Sequence, residues 1–263
     1  MTRLERLTLI VLWCITGLIF AALYLPALLV VFQSFFDRAG RSIAFDSFGL
    51  KWYRALLDNG DILSALGTSL IVGCAAVAVS ASLALLIAYY MKTGERRGRR
   101  YVEFVIFMPF VLPAIITGIA LLITFRELGI ESGILTVTLG HIAIILAVLY
   151  RMITVRLESL EDSQIEAALD LGANHRQAFL FVVLPQLRSA LITSSLLAFT
   201  LSFDETLVTF FLSGSDMTIP IRLWSMMRVG FSPEVNAFVS LVLLVTMTTA
   251  VLSALSFRNP IVK

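Results

Sequence analysis

Charge is scarce in this chain of 263 residues: Asp, Glu, Lys and Arg together make up 14%, against 59% hydrophobic residues. A water-soluble domain carries about a quarter charged residues, so a mean hydropathy of +0.93 excludes that class and places the chain in a bilayer. Cysteine is limited to Cys14 and Cys74, each inside an apolar run; this argues against a disulfide framework and reads as two small buried hydrophobes. Histidine is limited to His141 and His175, and no H-E-x-x-H occurs, which removes the zinc-hydrolase reading. His141 reads as a satisfied interfacial residue rather than a ligand. No G-x-x-x-x-G-K-[ST] phosphate loop is present, so the chain is not expected to bind or hydrolyse ATP itself. Neither catalytic residues nor metal ligands are expected.

What the sequence has in plenty is uninterrupted apolar stretches. A membrane-crossing helix needs about 20 apolar residues, and charge-free runs lie at Leu7–Phe36, Ile62–Met91, Phe104–Phe125, Ser132–Tyr150 and Val235–Phe257. The first exceeds the ~7 to 15 residues of a signal h-region, and bulky Trp13 before Cys14 argues against a lipoprotein site. It is expected to be a retained helix. A sixth span, Ser189 to Ser215, is interrupted by Asp204 and Glu205; open backbone is not tolerated in hydrocarbon, so the reading is one helix carrying two intramembrane acids. The expected fold class is all-α, a polytopic protein of six transmembrane helices. Its expected organisation is a first helix and periplasmic loop (1–61), a five-helix core (62–257) and a tail (258–263).

Orientation follows from Lys and Arg in the short loops. The densest cluster, KTGERRGRR from Lys92 to Arg100, falls on the same side as Arg3, Arg6, Arg151, Arg156, Arg176 and Arg258. Both termini are therefore expected in the cytoplasm. The cluster reads as a topology signal at lipid headgroups, not as a nucleic-acid site. Pro109 and Pro113 fall inside the third run, where proline removes a ladder hydrogen bond and predicts a kink.

One segment stands apart from this oily background: QIEAALDLGANHRQAFLFVVLPQL, Gln164–Leu187. Ile165, Ala168, Leu169 and Gly172 share one helical face. Gly172 suits the left-handed residue that closes a helix, and Asn174 with Gln177 resembles a capping box that opens the next. Pro185 predicts a bend on the way into the fifth span. A DNA-binding helix-turn-helix has a similar outline, but AFLFVVL cannot read base edges. A docking element for a soluble partner fits better, with small Ala167 and Ala168 permitting close approach and Glu166 and Asp170 supplying charge.

At these residues the sequence resembles the membrane subunits of ATP-binding-cassette importers. Glu166-Ala167-Ala168, then Gly172, then Val182-x-Leu184-Pro185 matches their EAA-loop signature, with Val182 where that pattern prefers Ile. The resemblance covers nearly the whole chain and is strongest from about Ile165 to Ala237. It implies a type I importer permease fold, in which a cytoplasmic coupling helix at about 159–172, carrying Glu166, Ala167, Ala168, Asp170 and Gly172, seats in a cleft of a separate ATPase subunit. ATP and Mg would then be bound by two such subunits, with no cofactor on this chain. A second permease, a different chain, and a periplasmic substrate-binding protein complete the implied assembly in a bacterial inner membrane.

A further likeness, carried by FTLSFDET (Phe199–Thr206), IPIRLWSMMRVGFSPEVNA (Ile219–Ala237) and KWYRALLDN (Lys51–Asn59), is to the second permease of spermidine/putrescine-type importers. It implies a small cationic solute such as a polyamine; related importers carry opines, thiamine, iron or amino-acid-like solutes. A carboxylate at membrane depth needs a cavity or a partner. Asp204 and Glu205 point about 100° apart on a helix, so of these candidates for the solute path Asp204, one turn after Thr200, is the one expected to face it, while Glu205 pairs with a neighbouring helix or with the second permease. That divergence also argues against a catalytic dyad. A stand-alone secondary transporter is the rival reading, and no inverted repeat supports it. The loop from Gly214 to Pro233 is expected in the periplasm, with Arg222 and Arg228 available to the acids of a binding protein.

Overall fold

The structure, a computed structural model, describes residues 3–39, 42–93, 98–230 and 232–257. Residues 94–97 of the basic cluster, residue 231, and Arg258 with the rest of the 258–263 tail lie outside the described residues. In chain order come α1 (Arg3–Gln33), β1 (Asp37–Ala39), β2 (Ser42–Ala44), α2 (Lys51–Asp58), α3 (Gly60–Thr93), α4 (Arg99–Val111) and α5 (Ala114–Glu127). There follow α6 (Ile134–Glu158), α7 (Asp162–Asp170), α8 (His175–Ala178), a π turn (Phe179–Val183), α9 (Leu184–Asp204), α10 (Leu207–Leu212), α11 (Ile219–Val229) and α12 (Pro233–Phe257).

Contacts divide the chain into two units, Met1–Gly60 with Leu223–Lys263, and Asp61–Arg222. In the first, α1 packs on α12 and α2 packs on α12. The Tyr53 hydroxyl of α2 lies 2.6 Å from Ser34 Oγ, just past α1, and 2.9 Å from Ser240 Oγ of α12. Strands β1 and β2, which no feature of the sequence announces, pair antiparallel with Asp37 opposite Ala44. Asp37 also accepts hydrogen bonds from Lys51 Nζ and, at 2.8 Å, from Trp52 Nε1, which fixes the loop to the start of α2.

The second unit is built on close helix approach. Ala76, Ser80, Ala84 and Ala88 recur every four residues on α3 and are all buried, a small-residue stripe of the kind that lets membrane helices meet at short range. They pack with Ile145, Leu149, Ile153 and Leu157 of α6, and with Val183, Leu187 and Ala198 from the π turn and α9. A Cβ on Gly140 of α6 would lie 2.6 Å from Leu212 and 2.8 Å from Val208, and one on Gly118 of α5 would lie 3.2 Å from the Val208 backbone. Short α10 is thus seated in a groove that only glycine leaves open.

Four helical stretches are long and apolar enough to cross a membrane: Thr8–Gln33, Gly60–Thr93, Ile134–Glu158 and His175–Asp204. The third span departs from the expected kink. It is two helices, α4 and α5, set at 107°. Pro113 explains this: the residue before a proline is driven out of the helical region, and Leu112 is extended at φ −68°, ψ 145°. Pro109 stays inside α4. The run Val235–Phe257 is met by the 25 residues of α12.

The expectation of one helix through Asp204 and Glu205 is also corrected. Helix α9 ends at Asp204, Glu205 is extended at φ −69°, ψ 109°, and α10 begins at Leu207. The polar side chains at 205 and 206 can bond the backbone groups that a helix end exposes, which an apolar pair could not do. Nor does Pro185 form a corner. It sits in the first turn of α9, right after the π turn, where Leu184 N–H bonds to Phe179 O; the added residue accommodates the missing proline donor within a continuous helical run.

Candidate functional site

Two places in the second unit gather the residues singled out from sequence. The first is α7 and the corner that follows it. Ile165 is buried, Ala168 and Leu169 are half-buried, and Glu166, Ala167 and Asp170 are exposed, so the apolar face expected from spacing packs inward and the acidic, small-residue face points out. Gly172, expected on the inward face, is exposed at the corner.

That corner is a Schellman motif. Ala173 N–H bonds to Ala168 O at 3.0 Å and Gly172 N–H to Leu169 O at 2.9 Å, the 6→1 and 5→2 pattern that satisfies the last helical carbonyls. Gly172 takes φ +89°, a region that side-chain-bearing residues avoid. The next helix opens on the capping box: Gln177 N–H donates to Asn174 Oδ1 and Asn174 N–H to Gln177 Oε1, each at 2.9 Å. Gln186 Nε2 then donates to Gln164 Oε1 at 2.8 Å, tying α9 back to α7. Leu171, which helical periodicity left out of the packed face, is 89% exposed at the tip of the corner.

The second place is the break between α9 and α10. Thr200 and Asp204, one turn apart, are both exposed on α9, and Thr200 Oγ1 donates to Leu196 O at 3.0 Å. Glu205 is half-buried and turned the other way. Its Oε1 accepts from Val208 N–H at 3.0 Å, so the carboxylate caps the first turn of α10 and interacts favourably with its positive end.

His141 of α6, expected as a satisfied interfacial residue, is satisfied but buried, 2% exposed, and spans this break. Nδ1 lies 2.7 Å from Ser202 Oγ and Nε2 2.8 Å from Thr209 Oγ1. Thr136 Oγ1 reaches Leu212 O at 2.9 Å, so α6 grips both ends of α10.

Alongside, Cys74, Val77 and Ala78 of α3 and Leu191, Ser195 and Phe199 of α9 line an open apolar groove of about 470 Å³. Toward the other end of α3 from the corner, Asp61, Ser64, Ser215, Asp216 and Arg222 line a polar pocket of about 270 Å³. There Arg222 Nη2 donates to Asp61 Oδ2 at 2.6 Å. In the first unit, Arg228 lies 4.0 Å over the Trp224 ring. Both arginines thus have partners in their own chain. Among the described residues, no group of three His, Cys, Asp or Glu is placed to hold a metal.

The chain as a whole is similar to known proteins. The chain is 35% identical over 232 residues to the putrescine transport system permease protein PotI of Escherichia coli (strain K12), covering 85% of this chain and 82% of that one. It is 31% identical over 242 residues to the spermidine/putrescine transport system permease protein PotC of the same strain, covering 92% and 91%. Among solved structures, a bacterial ABC transporter involved in the import of the acidic polysaccharide alginate matches with a TM-score of 0.74 at 18% identity, over 99% of each chain, a likeness of fold. Residues 80–259 match the family described as binding-protein-dependent transport system inner membrane component, and they hold both the α7 corner and the α9–α10 break: the chain belongs to that family and is a multi-pass permease subunit of such an importer.

Proposed function

We propose that this subunit imports a small polyamine cation, coupling it to ATP hydrolysed on two separate ATPase chains that hold the nucleotide and Mg. The observation that carries the coupling is the α7 corner: a short helix, packed inward through Ile165 and closed by Gly172 at φ +89°, presents Glu166, Ala167, Asp170 and Leu171 outward. Displacing such a rigid element moves the helices packed against it, and two sites linked by one two-state motion are what coupling requires.

The cationic solute is supported by exposed Asp204 and by the polyamine relatives. A carboxylate in a low-dielectric passage attracts an ammonium strongly. The second permease is a different chain, the termini and α7 face the cytoplasm in keeping with the basic residues at that end, and a periplasmic binding protein docks on the opposite face around residues 214–218. Labelling of Ser215→Cys from the periplasmic side only is the expected topology result. The test of function is uptake of radiolabelled putrescine into proteoliposomes holding the whole importer and its binding protein. Uptake should require both ATP and the ATPase chains; putrescine uptake by this chain without an ATPase would defeat the reading.

A further inference from the structure

Lys92, the penultimate residue of α3, belongs to the basic stretch that reads as a topology signal, and such a charge needs no partner in its own chain. Here it has three. Its Nζ donates to Leu157 O and Leu160 O, each at 2.8 Å, and pairs with Asp162 Oδ1 at 2.9 Å. An ammonium has three hydrogens, and all three are placed. The acceptors come from the last turn of α6, from the connection after it and from the first residue of α7. The Lys92 side chain is only 12% exposed while that of Asp162 is 75% exposed, so the two carbonyl bonds are shielded from water and salt and the Asp162 arm is a screened surface pair. They also satisfy carbonyls that a helix end leaves open and place a cation where the α6 dipole favours one.

Only Ser159, Leu160 and Glu161 connect α6 to α7 along the chain. Leu160 packs that connection into the core it shares with Leu157 and Ile165, and Lys92 adds the polar tie that fastens it to the end of α3. On the far side, Gln164–Gln186 and buried Ile165 join α7 to α9.

We propose that Lys92 is a positioning residue that makes α3, the end of α6 and α7 one mechanical piece, so that movement imposed on α7 by an ATPase chain is delivered to α3, a wall of the apolar groove. This rests on the reading of α7 as the segment an ATPase chain moves.

The test is a spin-label distance in the assembled importer, with Cys14 and Cys74 replaced by serine and labels at Ser82→Cys on α3 and Ser163→Cys on α7, both exposed. With native Lys92 the distance distribution should be narrow and the same in nucleotide-free and ATP–vanadate states. Lys92→Met, which keeps the stem and removes the charge, should broaden it and make it differ between the two states, and Lys92→Arg should restore it in part. Asp162→Asn, at an exposed carboxylate, removes one arm and should give a smaller broadening; it carries the test if Lys92→Met does not assemble. A distribution that stays narrow in both Lys92→Met and Asp162→Asn overturns the proposal. In proteoliposomes, ATP hydrolysed per putrescine imported should rise about tenfold in Lys92→Met, the scale on which one charge-assisted hydrogen bond shifts an equilibrium; a merely structural role would lower the amount of complex and leave that ratio alone. Absence of putrescine uptake with native Lys92 would strike the solute reading, while the distances would still decide the clamp.

Discussion

His141 Nε2 lies 2.8 Å from Thr209 Oγ1, and the direction of that bond is fixed by its neighbours. The Thr209 hydroxyl donates to Glu205 O at 2.7 Å, so its proton is committed and it can only accept from the imidazole. Nε2 therefore carries the hydrogen, and Nδ1 accepts from Ser202 Oγ. The result is a relay from Ser202 through His141 and Thr209 to the carbonyl of Glu205, each bond polarising the next. It crosses the gap between α9 and α10 and holds in place the residues on either side of Asp204.

An imidazole that donates through Nε2 and accepts at Nδ1 serves both hydroxyls, and this makes a prediction about shape against chemistry. His141→Phe should fill most of the space but strand the buried Ser202 hydroxyl and take from Thr209 the donor it accepts from, leaving only its bond to Glu205 O, destabilising the subunit by roughly 1–3 kcal/mol. His141→Gln, which offers both a donor and an acceptor, should recover part of the loss. Thermal unfolding of the detergent-solubilised subunit checks both; a His141→Phe variant as stable as the native chain would show the relay to be incidental.

Gly172 separates backbone strain from crowding. No atom lies within 4 Å of a Cβ built there, so any cost of substitution comes from φ +89° alone. Gly172→Val should strain the corner by about 1–2 kcal/mol and weaken transport per ATP hydrolysed, whereas Gly172→Asn, which tolerates the left-handed region, should keep most of the coupling. Equal uptake-to-ATPase ratios in the two variants would mean that the corner geometry has no part in coupling.

Leu171 is the residue to change without disturbing the fold. At 89% exposure its replacement by Asp should shift stability by less than about 0.5 kcal/mol. The same change puts a third negative charge beside Glu166 and Asp170 and removes the apolar contact. Copurification with the ATPase chains should therefore fall sharply while the permease remains folded. Undiminished recovery of the ATPase chains with Leu171→Asp would place their docking surface elsewhere.

The sequence showed where packing repeats and where the backbone has few options. Ile165, Ala168 and Leu169 turned inward as their spacing required, Gly172 took the left-handed conformation, and Asn174 with Gln177 formed its box. The α4–α5 break was only half legible: Pro113 announced a disturbance, but the 107° turn depends on what each half packs against. Least visible were contacts between residues far apart in the chain. Nothing local to His141, Ser202 and Thr209 signals that they meet, nor that Lys92 leaves the basic cluster to cap α6, because such pairings follow from helix register in three dimensions. Leu171 was hidden for a related reason: periodicity identifies the packed face and says nothing of what caps the end.

The break at Glu205 gives the two intramembrane acids separate tasks, and so a prediction that distinguishes them. Glu205 Oε1 accepts from Val208 N–H, a bond that the amide oxygen of Gln can also accept. Glu205→Gln should therefore leave stability and uptake near native, while Glu205→Ala removes the cap and should cost about 1 kcal/mol. Asp204 has an exposed side chain one turn from exposed Thr200 and is free to meet a cation. Neutralising it removes a charge-assisted contact of the kind worth roughly 1.5–3 kcal/mol, so Asp204→Asn should lower putrescine uptake about tenfold or more, with complex assembly preserved. Asp204→Glu, which keeps the charge, should fall between the two. Initial uptake rates in proteoliposomes, normalised to recovered complex, measure all four variants. Loss of uptake in Glu205→Gln with none in Asp204→Asn would reverse the assignment, and native rates in both would move the cation path away from this break.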